Sequence, residues 1–163
     1  HDPALDFEPI HRLLYNRKAD ILESMHAFWG DRLKIKDMVS QDAMMSVVDE
    51  AAELWHQIGM VSPEGFKLIE ICKPTDNLPV GTLQKFLDHF LAEGNAEKID
   101  YVHGTNVLLE KGQIPGNIGF YLPGIEKSDL FKTVILDGSL PRKTFSMGEA
   151  KEKRFYMECR LIK

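Results

Sequence analysis

Hydrophobic and polar residues follow two different periods along this chain. Apolar residues recur three or four positions apart in four stretches, which predicts helices that each pack one face on a sheet. These stretches are residues 21–29, 41–58, 83–91 and 128–135. Shorter apolar or alternating runs between them predict β-strands. The predicted strands span residues 7–15, 33–39, 66–72, 99–103, 118–122 and 155–161.

The helix predicted over 41–58 has the most regular pattern. Its apolar positions step by four, three, four and three residues, and they are Met44, Val48, Ala51, Trp55 and Ile58. We expect Val48, Ala51 and Trp55 to pack on the sheet, with His56 at the helix surface. Gly59 follows in the left-handed position that often ends a helix.

Helices and strands mostly alternate along the sequence, which predicts an α+β architecture. We expect a mixed sheet of about five to seven strands, covered by three or four helices. The 163 residues fit one domain over 1–163, because most domains contain about 50–250 residues.

Composition excludes several classes of protein. The chain is 44% hydrophobic and 28% charged, with a formal net charge of −5. Nucleic-acid binders usually carry a basic surplus, so we expect no nucleic-acid partner. No apolar run approaches the roughly 18 residues of a membrane span. Cys72 and Cys159 lack the spacing of a disulfide framework or a zinc site, and this cysteine usage predicts a cytoplasmic protein.

The familiar catalytic motifs are missing from the sequence. It contains no phosphate-binding P-loop, no Gly-x-Gly-x-x-Gly turn, no nucleophile elbow and no His-Glu-x-x-His pair. No two histidines are four positions apart, so no helical metal clip is predicted. Candidate site residues are therefore sought among neighbouring polar residues that form no known motif.

His11 and Arg12 form the first such grouping, inside the predicted first strand. A histidine beside an arginine at a strand end can bind an anion. The same pair is also compatible with an ordinary solvated strand face. The sequence leaves both interpretations open.

Tyr101 and His103 form the second grouping, at the end of the predicted strand 99–103. Ligand sites of α/β sheets lie beyond the carboxyl ends of strands. His103 could therefore face a cleft, where its ordinary pKa suits a general base at neutral pH. The alternative is a turn histidine bonded to backbone.

A basic segment over residues 140–149 is the third and most suggestive grouping. Its candidate ligand-binding residues are Arg142, Lys143, Thr144 and Ser146, followed by the candidate catalytic residue Glu149. The two cations suit phosphate or carboxylate, and Glu149 could hold a cation or accept a proton. The partner predicted from this segment is a small-molecule anion. A solvated surface loop is the alternative.

Four segments carry a resemblance to a known family. They are residues 2–13, which contain Pro-Ile-His-Arg, residues 99–104, residues 119–123 and residues 140–156, which contain Leu-Pro-Arg-Lys-Thr-Phe-Ser. In this order they resemble the second half of domain-of-unknown-function family ten-fifteen. The chain departs from the family pattern at residues 146–150, where many members have a shorter Tyr-Phe-Pro-Lys run.

The resemblance implies a larger protein with a kinase activity. Family members carry an upstream Ala-Asp-Gly-His-His-Arg motif that this chain lacks, so the chain resembles the C-terminal part of a longer parent. The family is similar to ParB-like proteins, some of which phosphorylate free serine. This implies ATP or ADP with Mg²⁺ in the full-length parent, with the basic loop on phosphate or on the substrate carboxylate.

The sequence allows a second function from a different class. The chain could be a non-catalytic binding or assembly domain that packs against the upstream half of the parent or forms a homodimer. In either case we expect no robust turnover from this chain alone, because it contains no complete catalytic constellation.

Overall fold

The computed structural model of the protein describes residues 8–50, 54–125, 127–138 and 143–146. The helices in these ranges are α1 (Ile21–Trp29), α2 (Gln41–Glu50), α3 (Pro79–Ala92), α4 (Thr105–Gly112) and α5 (Lys127–Asp137). The strands are β1 (Glu8–Pro9), β2 (His11–Arg17), β3 (Leu33–Met38), β4 (Trp55–Ser62), β5 (Gly65–Cys72), β6 (Ala96–Val102), β7 (Ile118–Tyr121) and β8 (Phe145–Ser146).

Six of the strands form one sheet in the order β3-β5-β4-β7-β2-β6. Every pairing between these strands is antiparallel. The short strands β1 and β8 pair with each other in a separate ribbon. The α+β prediction is therefore confirmed, and the six strands fall within the expected five to seven, but the sheet is antiparallel and not mixed.

The two faces of the sheet carry separate apolar cores. On one face, α1 and α3 contribute large buried side chains such as Met25, Phe86 and Phe90. On the other face, α2 and α4 contribute Val48 and Leu108. Successive residues of a strand point to opposite faces, so each central strand supplies both cores. None of the described helices is long and apolar enough to cross a membrane.

The prediction for 41–58 is wrong in its second half. Helix α2 extends from Gln41 to Glu50, and Trp55 already begins β4. The packing expected of Val48 is confirmed, because its side chain is fully buried. Trp55 is 37% exposed at the start of the strand, and Ala51 lies outside the described residues.

Gly59 allows helix α2 to pack closely on strand β4. It lies in the middle of β4 and pairs with both β5 and β7, so it does not end a helix. A Cβ atom at Gly59 would lie 2.8 Å from the sulfur of Met44 on α2. The absence of a side chain thus lets α2 approach the sheet closely.

Other predicted elements agree with the structure. Helix α1 occupies the predicted stretch 21–29 and ends at Gly30, which has a positive φ of 59°. Its N-cap is Asp20, whose carboxylate accepts from the Leu22 and Glu23 N–H groups, and the sequence pattern did not identify this residue as the cap. The first predicted strand is divided into β1 and β2. The strand predicted over 155–161 lies outside the described residues, as does most of the loop before it.

Candidate functional site

A cavity of about 800 Å³, called the main cavity below, lies where β4 begins and β7 ends. Seven regions of the chain line it: β1, the end of α2, the start of β4, the start of α3, the loop after β7, α5 and residue Thr144. Its charged lining residues are Asp49, Glu50, Asp129 and Lys132. The lining therefore contains both signs of charge, with carboxylates in excess.

The first turn of α3 forms one wall of the main cavity. Pro79 occupies the first helical position, where its fixed φ suits the start of a helix. The preceding Asn77 side chain donates hydrogen bonds to the Asp129 carbonyl at 3.3 Å and to the Thr133 hydroxyl at 2.6 Å. These bonds attach α5 to the wall and so fix Asp129 and Lys132 beside it.

His56 is a buried histidine in the lining of the main cavity. Its Nδ1 lies 2.7 Å from the Thr82 hydroxyl on α3. Burial lowers the pKa of His56 to about 4, although the Asn77 backbone and the Asp76 charge oppose the shift. The ring is therefore neutral at pH 7. The helix-surface position that the sequence predicted for His56 is wrong.

Asp49 reaches the main cavity from the C-terminal end of α2. The Tyr121 hydroxyl donates to its Oδ1 at 2.8 Å. Burial, and then the contact with Asp49, raise the pKa of Tyr121, so the phenol stays protonated and continues to donate. One carboxylate oxygen of Asp49 is thus fixed, and the side chain is held at the cavity.

His11 lies behind the main cavity rather than in its lining. Its Nδ1 accepts a hydrogen bond from the Leu122 N–H at 3.0 Å, so the neutral ring carries its proton on Nε2. The ring stacks on Tyr121 with 4.8 Å between centroids. Burial is the main cause that lowers the pKa of His11 to about 4, and the Arg12 and His103 charges act in the same direction.

Arg12 is a fully buried arginine on the opposite face of β2. Its Nε donates to the Gln84 side chain at 2.9 Å, and its Nη1 donates to the carbonyls of Ile10 at 2.5 Å and Lys143 at 2.8 Å. Arg12 therefore attaches the basic segment to the sheet. Neither His11 nor Arg12 lies on the solvated strand face that the sequence had left open.

Tyr101 joins the two sequence-predicted groupings. It pairs with Arg12 across β2 and β6, and the Arg12 guanidinium carbon lies 5.0 Å from the Tyr101 ring centroid. The Lys143 ammonium lies 5.9 Å from the same centroid. Thr144 is buried and lines the main cavity. The structure thus brings Arg12, Tyr101 and Lys143 together, and of this group's neighbours Thr144 lines the cavity.

The remaining predicted site residues are placed differently. His103 is exposed just after β6 and is not among the lining residues of the main cavity. Ser146 lies in β8, paired with Glu8. Arg142 and Glu149 lie outside the described residues.

The sequence did not indicate the carboxylates that line the main cavity. It also did not indicate Lys132, the only lysine among the described residues that line the cavity. Asp49 and Asp129 belong to helices whose pattern suggested only packing. One local signal was present, since Asn77 and Leu78 precede a proline in the way typical of a helix N-terminus. The described residues contain no group of three or more His, Cys, Asp or Glu side chains able to hold a metal ion.

No family model, curated protein or solved structure matches the chain.

Proposed function

We propose that the main cavity binds a free amino acid of the serine type, and that the chain is the C-terminal part of a nucleotide-dependent small-molecule kinase. One observation carries the proposal. The Lys143–Thr144 segment, which contains the basic family-like motif, is held by Arg12 at the edge of a cavity with mixed charge.

The size and the lining of the main cavity suit an amino acid and part of a second reactant. Ligand sites usually measure about 300–1,000 Å³, and this cavity measures about 800 Å³. The carboxylates of Asp49, Glu50 and Asp129 complement an ammonium group. Lys132, together with the N-terminal end of α3, complements a carboxylate or a phosphate.

Arg12 contributes as a positioning residue. Its guanidinium holds the Lys143 carbonyl at 2.8 Å, which places Thr144 in the cavity lining. Lys143 is itself exposed and directs its ammonium toward the Tyr101 ring. In this proposal Lys143 provides the mobile positive charge at the cavity edge, and Arg12 keeps its backbone in place.

Phosphoryl transfer needs mainly positioning and charge stabilisation. In the proposed step, the substrate hydroxyl oxygen bonds to the terminal phosphorus of the nucleotide. The bond from that phosphorus to the leaving nucleotide oxygen breaks, and the hydroxyl proton passes to Asp49. Tyr121 occupies only one oxygen of Asp49, which leaves the other to accept the proton.

We assign no step to a metal ion held by this part of the chain. The described residues contain no group of three or more His, Cys, Asp or Glu side chains that could hold a metal ion. By the family resemblance, the nucleotide and Mg²⁺ belong to the full-length parent, of which this chain would supply only a part. Turnover by this chain alone is therefore expected to be absent in an assay with serine and ATP or ADP.

Calorimetric titration of this chain with L-serine and O-phospho-L-serine tests the binding part of the proposal. Asp49→Asn should weaken serine binding by at least about tenfold, since a charge-assisted hydrogen bond contributes about 1.5–3 kcal/mol. Asp42→Asn, in the first turn of the same helix, is the matched control and should leave the affinity unchanged. No binding to the unmodified chain, or equal affinities for both variants, would exclude this site.

A second candidate function is assembly with another protein or with a second copy. Helix α5 exposes three consecutive apolar residues, Val134, Ile135 and Leu136, to 46%, 79% and 63%. Exposed apolar patches often mark interaction surfaces. Sedimentation equilibrium of the chain and of Ile135→Glu tests this candidate: a dimer that the substitution disrupts supports assembly, and a monomer in both cases removes the homodimer.

A further inference from the structure

A second cavity, of about 330 Å³, lies at the other end of β4 from the main cavity. Its lining includes Ser62, whereas the main cavity includes His56. Six residue steps of about 3.4 Å separate these positions, so the two cavities are about 20 Å apart along the strand. The second cavity is therefore independent of the proposed kinase site.

The floor of the second cavity is apolar. Met60 and Ile118 supply it from neighbouring strands, and Ile21 supplies it from the start of α1. These three side chains are almost completely buried, at 2%, 1% and 4% exposure. The part of a ligand that reaches this floor meets only apolar side chains, which favours an apolar group there.

The rim of the second cavity is mainly cationic. Arg17, Lys18 and Lys67 lie on it, together with Asp20 and Glu64. Asp20 already accepts hydrogen bonds from two backbone N–H groups of α1. Lys67 is paired with Asp37, which is not a lining residue. The rim cations open to a ligand are therefore the Arg17 guanidinium and the exposed Lys18 ammonium.

Arg17 is held only loosely by Glu64. The shortest contact is 3.7 Å, and the Glu64 side chain is 64% exposed. Exposed ion pairs of this kind contribute only about 0–1 kcal/mol. A ligand carboxylate at the mouth of the cavity could displace Glu64 and form the two parallel hydrogen bonds that a guanidinium favours.

We infer that the second cavity binds a small carboxylate with an apolar body, whose charged group replaces Glu64 on Arg17. The cavity volume is at the lower end of the range for ligand sites, about 300–1,000 Å³. A nucleotide or a large cofactor is therefore excluded, and a short aliphatic or aromatic acid fits. This inference does not depend on the function proposed for the main cavity.

Methyl NMR of the full chain, titrated with octanoate, octanol and octylammonium, tests the inference. Octanoate should give saturable shifts of Met60, Ile118 and Ile21, with octanol at least about tenfold weaker because it lacks the charge that Arg17 recognises. Octylammonium should bind more weakly still. Absence of saturable shifts with octanoate, or equal or tighter binding of octylammonium, would overturn the inference.

Two substitutions with opposite expected effects sharpen this test. Arg17→Gln should weaken octanoate binding by at least about tenfold. Glu64→Gln should strengthen octanoate binding about threefold, because it removes the carboxylate that competes with octanoate for Arg17 in an exposed ion pair. The matched control is Arg32→Gln, because the Arg32 guanidinium donates to the Lys73 carbonyl outside the cavity. Should Arg17→Gln alter the spectrum of the free protein, exposed Lys18→Gln replaces it, with a weaker affinity again expected. Weaker binding in Glu64→Gln would assign the cavity to a cation instead.

Discussion

The two ends of β4 hold their charged groups in different ways. At the end near His56, buried and half-buried side chains fix the site: Arg12, Asn77 and Tyr121 donate hydrogen bonds, and His11 accepts one from the Leu122 N–H. At the Ser62 end, the rim charges are paired through exposed side chains such as Glu64. Buried hydrogen-bonded groups are costly to disturb, whereas exposed pairs are not. Substitutions of these buried groups at the first end are therefore expected to lower the free energy of unfolding, whereas substitutions at the second end should change mainly ligand affinity.

The largest expected effect comes from Arg12→Ala. The substitution removes three hydrogen bonds and leaves Gln84 and two backbone carbonyls without these donors in a buried region. Each buried group left without a partner costs about 1–3 kcal/mol, and relaxation of the surrounding structure reduces the sum. The free energy of unfolding should therefore fall by about 3–5 kcal/mol. Urea unfolding measures this loss. The control Arg32→Ala should change stability by less than about 0.5 kcal/mol, and an equally small effect of Arg12→Ala would remove the difference between the two ends.

The next largest effect is a loss of stability in weak acid. His56 and His11 have pKa values near 4 in the folded protein, below the ordinary value of 6.5. The unfolded chain therefore binds protons first as the pH falls. The stability from the two neutral rings is complete above about pH 6.5 and is lost progressively between about pH 6.5 and pH 4. Each ring should contribute up to about 3 kcal/mol.

Urea unfolding at a series of pH values checks this prediction. His56→Asn should flatten the dependence of unfolding free energy on pH across that interval. His26→Asn, at an exposed position on α1, should leave the slope unchanged. A slope that is the same in all three proteins would show that buried neutral histidines do not govern acid stability.

Gly59→Ala should have a smaller but clear effect on the β4 packing between the two ends. The new Cβ would meet the buried Met44 side chain at 2.8 Å. Overpacking of this kind costs about 1–3 kcal/mol. Thermal unfolding measures the loss, and Gly124→Ala is the control because nothing lies within 4 Å of a Cβ there. Equal stability of both variants would contradict the close approach of α2 to β4.

The smallest effect concerns ligand affinity rather than folding. Lys143→Gln should weaken binding of O-phospho-L-serine by about tenfold, equivalent to about 1.4 kcal/mol. Lys98→Gln is a matched control, because Lys98 also lies over a tyrosine ring, 4.7 Å from the Tyr15 centroid. Calorimetric titration compares the two variants. Equal affinities would show that the basic segment does not contact the phosphate.

Much of the fold could be predicted from local pattern. Helix α1 has an amphipathic stripe and a terminal Gly30, and these two signals agree with the structure, whereas its cap, Asp20, was not identified. The error over 41–58 has a physical cause. Strand β4 is buried on both faces, so its apolar residues do not alternate with polar ones and can match a helical spacing. Pairing with β5 and β7 decides the structure, and no local pattern contains that information.

The candidate site was less accessible to prediction. Sequence reasoning selected Tyr101, Lys143 and Thr144, which the structure brings together at Arg12. Their proximity depends on the register that pairs Arg12 with Tyr101, which long-range sheet formation fixes. Asp49 and Lys132 could not be identified, because each lies on a helix whose sequence gives no sign of a cavity. The anion-binding role predicted for Arg142 and the catalytic role predicted for Glu149 remain predictions.

The central claim is that the amino acid binds at the His56 end of β4, and histidine NMR tests it most directly. The six histidines give separate imidazole signals, and the chain can be titrated with L-serine while they are observed. We predict saturable shifts for His56, which lines the main cavity, with smaller shifts for the buried His11 behind it. The exposed His103 and the methyl groups of Met60 and Ile118 should not respond. Saturable shifts confined to His103 or to the second cavity, with none at His56, would contradict the account.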